Sequence, residues 1–450
     1  MTDHEIETME APHPVEPVDA KDPIVYVSTA KPKPPLTEQQ IEDMKKPTVL
    51  IVGAGIGGLT LAILLHKAKI PFFVYERAHE VKPLAIFQQM GVYEEFQKIG
   101  KPVTSVARFN NEIELRVFQD WTERIELGGG IEYIVARPDL YDLLLKQLPR
   151  EKILMDKKVM SFEQNKDGVM IRCSDNQTHH GDILVGCDGA YSGVRQHLYK
   201  ILKKKKELPK SDDVPLPFST VCLVGQTKPL DPEQFPDLKK ETSQFNSIYG
   251  KNSMYSFLNK KSSKDNDSFR NSEWGPEAAE AMCKKVRDLK VPGGKEGHVL
   301  TIGDLIDNTP KERISKVMLE EKVFHTWHSG RTVLLGDSCH KLNPAGGAGA
   351  LSAIHDAIAL SNWINTLETK ELPEIKQIFT EYYKERYPVV KDNFQRSQIF
   401  SKLPGKNLEA KLARATMKWM PKWLLKKIMI SMSVSRPQVS FLPLVEDKGQ

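Results

Sequence analysis

The residues that most clearly indicate a chemical function are four glycines in the run Gly53-Ala54-Gly55-Ile56-Gly57-Gly58, because their spacing is typical of a phosphate-binding turn. In a G-x-G-x-x-G turn the first glycine permits a tight turn, the second lets the backbone approach a pyrophosphate, and the third lets a helix pack closely on a strand. The N–H groups that begin such a helix attract phosphate. Glu76 follows 18 residues after Gly58, where a carboxylate accepts from ribose hydroxyls and favours FAD or NAD over NADP.

The flanking segments must form a strand and a helix for this turn to work. Thr48–Val52 is β-branched and strand-like, and Leu59–Ala68 has helix composition. Thr48–Leu65 is also uncharged and about long enough to span a bilayer, but four glycines within six residues favour strand, turn and helix over a membrane span. The fingerprint occurs once. A plain dehydrogenase, or a flavoprotein whose nicotinamide binds without its own Rossmann domain, would both fit it.

Two later strand ends carry acids beside glycines. Gly186-Cys187-Asp188-Gly189 precedes Arg195, and Gly336-Asp337 precedes a glycine-rich loop that opens a helix near Leu351. An Asp at such a strand end can bind a ribityl hydroxyl, and a helix N-terminus can stabilise negative charge on a reduced flavin. His340 has no acid or Cys at ligand spacing, so we expect a structural role and no metal site. The candidate cofactor contacts from these motifs are Asp188, Gly189, Gly336, Asp337, Pro344, Gly346, Gly347, Gly349 and Ala350.

These motifs, in this order and spacing, resemble the FAD-dependent aromatic-hydroxylase-like monooxygenases, which share the para-hydroxybenzoate hydroxylase fold. The resemblance covers roughly residues 47–370 and is nearest to the branch found in fungal secondary metabolism. It implies that Arg77, which follows Glu76, and Arg137, which begins a family-like Arg-x-x-Leu helix start, contact the cofactor. Arg195 is carried over as a catalytic candidate, although an ordinary surface or ion-pairing arginine fits equally well.

The resemblance implies FAD as cofactor, NADH or NADPH as a transient reductant, and O₂ and a small organic substrate as partners. The reduced flavin would capture O₂ as a C4a-hydroperoxide and hydroxylate or epoxidise an aromatic or polyprenyl substrate. Two departures qualify this expectation. His79–Leu84 leads almost directly into a predicted helix at Ala85–Ile99, without the family's usual flavin-lining stretch, and Ser352 stands where many members carry Asn. The gap is either a mis-joined gene model or a real deletion.

Other functions explain less of the sequence. A dehydrogenase accounts for the first motif alone, and the six tryptophans never form the W-x-W-x-x-P signature of flavin-dependent halogenases. A degenerate flavoprotein, serving as a binding module or an uncoupled NAD(P)H oxidase, is the main alternative because of the shortened stretch after Glu76.

Composition is that of an ordinary globular protein. The chain has 450 residues, a net charge of +5 and 40% hydrophobic residues, which excludes collagen-like, coiled-coil and wholly disordered proteins and gives no support for nucleic-acid binding. Five cysteines without a CxxC predict neither a disulfide framework nor a zinc site. The acidic, Pro-rich start is unlike a signal peptide, so a cytoplasmic location is expected.

The length predicts two or more domains in an α/β fold. We expect a Rossmann-like FAD-binding domain with a doubly wound parallel sheet, a mostly antiparallel β substrate domain and C-terminal helices. Residues 402–427 carry eight Lys/Arg and one acid, which fits either a peripheral membrane contact or a helix packed on the core. The predicted parts are a disordered tail (1–46), a discontinuous FAD-binding domain (47–102, 136–205 and 330–370), a substrate domain (103–135 and 214–329) and a C-terminal helical region (371–450).

Overall fold

The computed structural model describes most of the chain between Lys46 and Lys402 and part of the region beyond. The described residues are 46–77, 89–102, 106–110, 113–118, 133–134, 137–231, 233–234, 243–250, 253–261, 276–291, 299–343, 348–402, 408, 411–412, 415–416, 419, 421, 423–424 and 437–445. The tail predicted for residues 1–46 lies outside them except for its last residue, as does the shortened stretch His79–Leu84.

The central layer is a six-stranded sheet, and the strands are numbered here in chain order. Its members are β1 (Val49–Val52), β2 (Phe72–Tyr75), β7 (Ile153–Leu154), β11 (Ile183–Gly186), β17 (His328–Ser329) and β18 (Thr332–Leu334). Their spatial order is β17-β18-β11-β1-β2-β7, and every pairing is parallel except the one between β17 and β18. All four residues of β1 are apolar and buried, as expected for a parallel strand covered on both faces. The predicted doubly wound α/β fold is therefore present.

Helices cover this sheet and continue beyond it. They are α1 (Ile56–Lys67), α2 (Tyr93–Ile99), α3 (Arg137–Leu145), α4 (Gly193–Lys205), α5 (Pro276–Val286), α6 (Ile302–Asp307), α7 (Gly349–Asn365) and α8 (Leu372–Lys402). The long apolar run at Thr48–Leu65 divides into β1 and α1, so the membrane-span alternative is wrong. Among the helices that the structure describes, none is both long and apolar enough to cross a membrane. The helix predicted from Ala85 starts at Tyr93, because Met90 and Gly91 form a turn before it.

Two strand-like runs within the predicted FAD-binding domain, Val159–Phe162 and Val169–Cys173, were expected in the parallel sheet but lie outside it. Strands β8 (Val159–Gln164), β9 (Val169–Cys173) and β10 (Thr178–Gly181) form a separate antiparallel sheet. Only four residues connect β8 to β9, and a parallel pairing needs a crossover of about a dozen or more. The short turn therefore decides the antiparallel pairing.

The second large sheet is mixed and mostly antiparallel. Its order is β15-β12-β14-β13-β4-β5, with three antiparallel and two parallel pairings. The strands are β4 (Val106–Asn110), β5 (Ile113–Phe118), β12 (Phe218–Leu230), β13 (Ser243–Gly250), β14 (Ser253–Lys261) and β15 (Ile314–Glu320). The two large sheets meet where the hydroxyl of Tyr191, in the loop after β11, donates to the carboxylate of Glu320 at the end of β15.

Two short pairs complete the described strands. They are β3 (Lys101–Pro102) with β6 (Tyr133–Ile134), and β16 (Lys322–Val323) with β19 (His340–Lys341).

A C-terminal strap, residues 437–445, crosses the half of the molecule that contains the central sheet. The Val439 N–H donates to the side-chain oxygen of Gln89 at 2.8 Å, and the Gln89 amide donates back to the Val439 carbonyl at 3.3 Å. On the other side, the Ser440 N–H donates to Asn362 of α7 at 2.9 Å. Because Val439 is fully buried, the strap is part of the packed core.

Candidate functional site

Three turns meet at the carboxyl edge of the central sheet. They follow the neighbouring strands β1, β11 and β18, and they begin at Gly53, Cys187 and Leu335. The carbonyl oxygen of Cys187 lies only 2.5 Å from where a Cβ on Gly53 would stand. The three predicted motifs, distant in sequence, are thus brought together at one edge, the usual ligand side of an open α/β sheet.

The first turn has the shape needed to receive a pyrophosphate. Gly53 adopts φ +102° and donates its N–H to the Tyr75 carbonyl at 2.8 Å. Cβ atoms on Gly57 or Gly58 would collide with Leu335 and with the Gly53 carbonyl, so these glycines let helix and strand pack closely. At Gly55, in contrast, the nearest atom to an added Cβ is 3.9 Å away. The open space lies at the N-terminus of α1, where the backbone N–H groups begin, and a diphosphate fits there.

The acid at the end of β2 lies beside this turn. A Glu76 carboxylate oxygen accepts the Ala54 N–H at 2.8 Å, and the residue is 6% exposed. Arg77, the next residue, is exposed. Arg137 begins α3 as the sequence indicated, but its side chain lies outside the described part of the structure.

The second turn is held together by a hydrogen-bonding side chain of its own, Asp188. Asp188 accepts from the Ser192 hydroxyl at 2.5 Å and from the Val194 N–H at 3.1 Å, so it anchors the start of α4. Gly189 adopts φ +82° with open space around the position of a Cβ, so its role there is conformational. Ser338, from the third turn, donates to the same Asp188 carboxylate at 3.4 Å.

Arg195 is buried and joins the second turn to the third. Its guanidinium donates to the carbonyls of Ser338 and Ala190, both at 2.7 Å, and lies 4.2 Å from the centre of the Phe324 ring. Burial lowers the pKa of Arg195, while Tyr199 and nearby acids act in the opposite direction. These contacts are those of a structural tie between turns, and the catalytic role carried over by resemblance stays a prediction.

The third turn presents an acid next to a left-handed glycine. Gly336 has φ +64°, and the Asp337 side chain is 33% exposed and paired with Lys341 at 2.6 Å. Gly349 and Ala350 form the first residues of α7, and an added Cβ on Gly349 would meet no atom within 4 Å. The predicted contacts Pro344, Gly346 and Gly347 lie outside the described residues.

Sequence reasoning missed a buried acid directly behind this turn. Asp356 of α7 is fully buried, and one of its oxygens lies 2.5 Å from Nε2 of His340 and 3.1 Å from the Gly336 nitrogen. Its other oxygen accepts from Arg386 of α8 at 2.9 Å. The sequence offers His340 no acid at ligand spacing. The structure nevertheless brings Asp356, 16 positions away in sequence, into contact with its ring, so the expectation that His340 lacks an acidic partner is wrong. The available signal was a single acid in a helix of mostly apolar residues.

A separate cavity of about 660 Å³ opens at the other end of the sheet. Thr48 and Asp182, which precede β1 and β11, line it together with residues of the β8–β9 hairpin such as Asn165. It lies at the amino ends of the strands and is distinct from the three turns.

Comparison with known proteins identifies the class of protein that this edge defines. The family model described as FAD binding domain matches residues 46–222 and 299–397, more than half of the chain. The chain therefore belongs to the FAD binding domain family. The matched ranges contain all three turns and every candidate cofactor contact.

Curated relatives narrow the class to an enzyme type. The chain is 26% identical to the FAD-dependent monooxygenase ausM of Penicillium brasilianum, over 82% of this chain and 81% of that protein. It is 29% identical to the FAD-dependent monooxygenase paxM of Penicillium paxilli, over 78% and 77%. The predicted class, a flavin-dependent monooxygenase with FAD as its cofactor, is confirmed.

Solved structures agree on the fold. Klebsiella pneumoniae HpxO, in complex with FAD and uric acid, superposes with a TM-score of 0.64 at 20% identity, over 86% of this chain and 97% of that one. A salicylate hydroxylase substrate complex gives 0.54 at 17% identity, over 87% and 99%.

Proposed function

We propose that this monooxygenase uses NADH or NADPH and O₂ to hydroxylate or epoxidise a small aromatic or polyprenyl substrate. The observation that carries the proposal is the meeting of the three turns at the carboxyl edge of β18, β11 and β1. When FAD is bound, its flavin ring supplies the redox and oxygen chemistry. The protein's own residues bind and orient the cofactor.

The first turn holds the diphosphate of the cofactor. Gly55 leaves room for the backbone to approach the phosphate oxygens, and the N-terminus of α1 offers N–H donors and the positive end of the helix dipole. Glu76 accepts from the hydroxyls of the adenosine ribose. Arg77 and Arg137 belong to the same proposed set of contacts.

The third turn holds the ribityl side of the cofactor. The partly exposed Asp337 carboxylate accepts a ribityl hydroxyl, and the ion pair with Lys341 orients that carboxylate. The N-terminus of α7, with Gly349 and Ala350, stabilises negative charge on the reduced flavin. The loop residues Pro344, Gly346 and Gly347 are proposed to line the ring.

The second turn shapes the site between the other two. Asp188 and Gly189 fix the path of the chain between β11 and α4, close to Gly53 of the first turn. Arg195 then sets the distance between this turn and Ser338 of the third.

The test separates cofactor recognition from turnover. Apoprotein is titrated with FAD and with FMN, which lacks the adenylate half. We expect FAD to bind and FMN to bind far more weakly, because the first turn and Glu76 have no partner in FMN. Visible flavin bands that bleach with NADPH under nitrogen and recover in air would then support the reductant and the oxidant.

Substrate coupling is measured with a panel of phenols and polyprenyl phenols. A coupled substrate lowers the hydrogen peroxide formed per NADPH oxidised. No flavin uptake would contradict the proposal. Peroxide equal to NADPH with every compound would favour the alternative, an uncoupled oxidase or a binding module.

A membrane contact is a second proposal, and it rests on exposed apolar side chains in a basic region. Trp419 is 81% exposed and Trp423 67%, and Leu408 and Leu412 are also exposed. Residues 402–427, with eight Lys/Arg, would bring these side chains to an anionic lipid surface. Sedimentation with phosphatidylserine vesicles, but not with phosphatidylcholine vesicles, is expected. Unchanged sedimentation of the Trp419→Ser/Trp423→Ser variant would refute it.

A further inference from the structure

A buried ionic cluster lies directly behind the third turn. It consists of Asp356 of α7, His340 of β19 and Arg386 of α8, and none of the three side chains is more than 2% exposed. Asp356 receives both partners, one on each carboxylate oxygen. Burial alone would raise the pKa of Asp356, but His340 and Arg386 outweigh burial and lower it to about 2. The carboxylate is therefore a fixed negative charge in the core.

The same carboxylate also binds the backbone of the third turn. The Gly336 N–H donates to it at 3.1 Å, and this bond fixes the Leu335–Gly336 peptide, one residue before Asp337. Gly336 is in the left-handed region, and a Cβ there would lie 2.9 Å from the Ala353 side chain of α7. Asp356 thus fixes the position of the third turn relative to α7, whose N-terminus lies at the same site.

A metal ion is a poor explanation of this cluster. Ligand atoms of Cys339, His340 and Asp356 lie within 4.8 Å of one another. The Arg386 guanidinium, however, already compensates the carboxylate and would repel a cation. Burial also raises the pKa of Cys339 well above its usual value, so this residue stays a thiol, which is a weak ligand.

We propose that Asp356, held by His340 and Arg386, is a positioning residue that presents Asp337 to the ribityl chain of FAD. The cluster acts on the flavin half of the cofactor and leaves the adenylate half to the first turn and Glu76. This inference rests on the proposed role of the Gly336–Asp337 turn. In this role His340 acts through Asp356, which is distant from it in sequence.

The experiment compares binding of FAD with binding of ADP to the apoprotein of each variant. ADP contains the diphosphate and adenosine but no ribityl chain. We expect His340→Leu to weaken FAD binding by about tenfold, because it removes one charge-assisted hydrogen bond from Asp356. ADP binding should stay unchanged. Since a Gln side chain can donate to Asp356 in place of Nε2, His340→Gln should recover most of the FAD affinity.

The matched control is His328→Gln. His328 is a half-buried histidine on β17 whose ring packs on Phe379 and Tyr383 of α8. We expect this control to leave both FAD and ADP binding unchanged, even if its unfolding temperature falls. If His340→Leu weakens ADP binding as much as FAD binding, or leaves both unchanged, the cluster is only structural and the inference is overturned.

Asp337→Asn distinguishes failure of this inference from failure of the proposed function. If that variant loses no FAD affinity, the proposed role of the turn is wrong. If Asp337→Asn loses FAD affinity while His340→Leu does not, the turn binds FAD but needs no help from Asp356, and only the positioning role is overturned.

Discussion

The backbone N–H of Ala54 donates to the carboxylate of Glu76 at 2.8 Å, so the glycine turn after β1 and the acid after β2 form one unit. These residues are 22 positions apart, and the pairing of β1 with β2 brings them together. The chain itself thus orients the acid proposed to hold the ribose, and does so at the turn proposed to hold the diphosphate.

Glu76→Gln should weaken FAD binding by about tenfold, because the variant loses a charged acceptor for ribose and for Ala54. Fluorescence titration of apoprotein with FAD measures the effect. Glu163→Gln, at an exposed glutamate of β8, is the control and should bind FAD normally. Equal affinities for wild type and Glu76→Gln would exclude the ribose role.

Alanine substitution of two glycines in the first turn should have different effects, one on stability and the other on FAD affinity. Gly53→Ala places a Cβ 2.5 Å from the Cys187 carbonyl at a left-handed φ, so we expect a loss of about 3 kcal/mol or more in the free energy of unfolding. Gly55→Ala has space in the apoprotein and should change the free energy of unfolding by less than about 1 kcal/mol. Its Cβ instead stands where the diphosphate approaches, so FAD affinity should fall at least about tenfold. Urea unfolding of apoprotein and FAD titration separate the two effects.

Arg195→Met should destabilise the fold by about 2–4 kcal/mol, because it leaves the buried Ser338 carbonyl and the partly buried Ala190 carbonyl without their charged donor. Arg172→Met, at an exposed arginine of β9, is the control and should be close to neutral. Urea unfolding measures both variants. If Arg195→Met instead keeps its stability and loses only turnover with bound FAD, the residue is catalytic after all.

Acid should weaken the fold through His328. Burial, helped by Lys376, lowers the pKa of His328 from 6.5 to about 4. Between these values the unfolded chain binds a proton that the folded chain excludes, so the free energy of unfolding falls as the pH drops. The full loss, below the folded pKa, is roughly 3 kcal/mol. Urea unfolding at about pH 7 and about pH 5 should show a smaller difference for His328→Gln than for wild type. An unchanged difference would assign the acid sensitivity to other groups.

The parts of the site that the sequence predicts are those encoded over short distances. A strand, a glycine turn and a helix start occupy about fifteen consecutive residues around Gly53, and each piece has its own composition. The same holds for the strand end at Gly186. The α/β class follows from such local signals. They leave FAD and NAD open, and the resemblance of the three motifs together to the flavin monooxygenases is what implied FAD.

The parts that escaped prediction depend on pairing between distant residues. Val159–Phe162 and Val169–Cys173 have the composition of buried strands, and composition alone does not choose the sheet they join. His340 and Asp356 are 16 positions apart in sequence, so no fixed spacing predicts their contact. Arg331 is a further case, since its guanidinium donates to the carbonyls of Asn165 and Asp182, which lie in two different sheet connections.

The C-terminal strap has a consequence for how the chain matures. Val439 leaves the ribosome 350 residues after Gln89, to which it binds. At roughly 5–20 residues per second, that interval lasts on the order of tens of seconds. During it, the residues of β1, β2 and α1 have already been synthesised, but the surface that the strap covers is open to water. The nucleotide-binding half is therefore completed only after residues 437–445 have been synthesised and have bound the much earlier segment at Gln89.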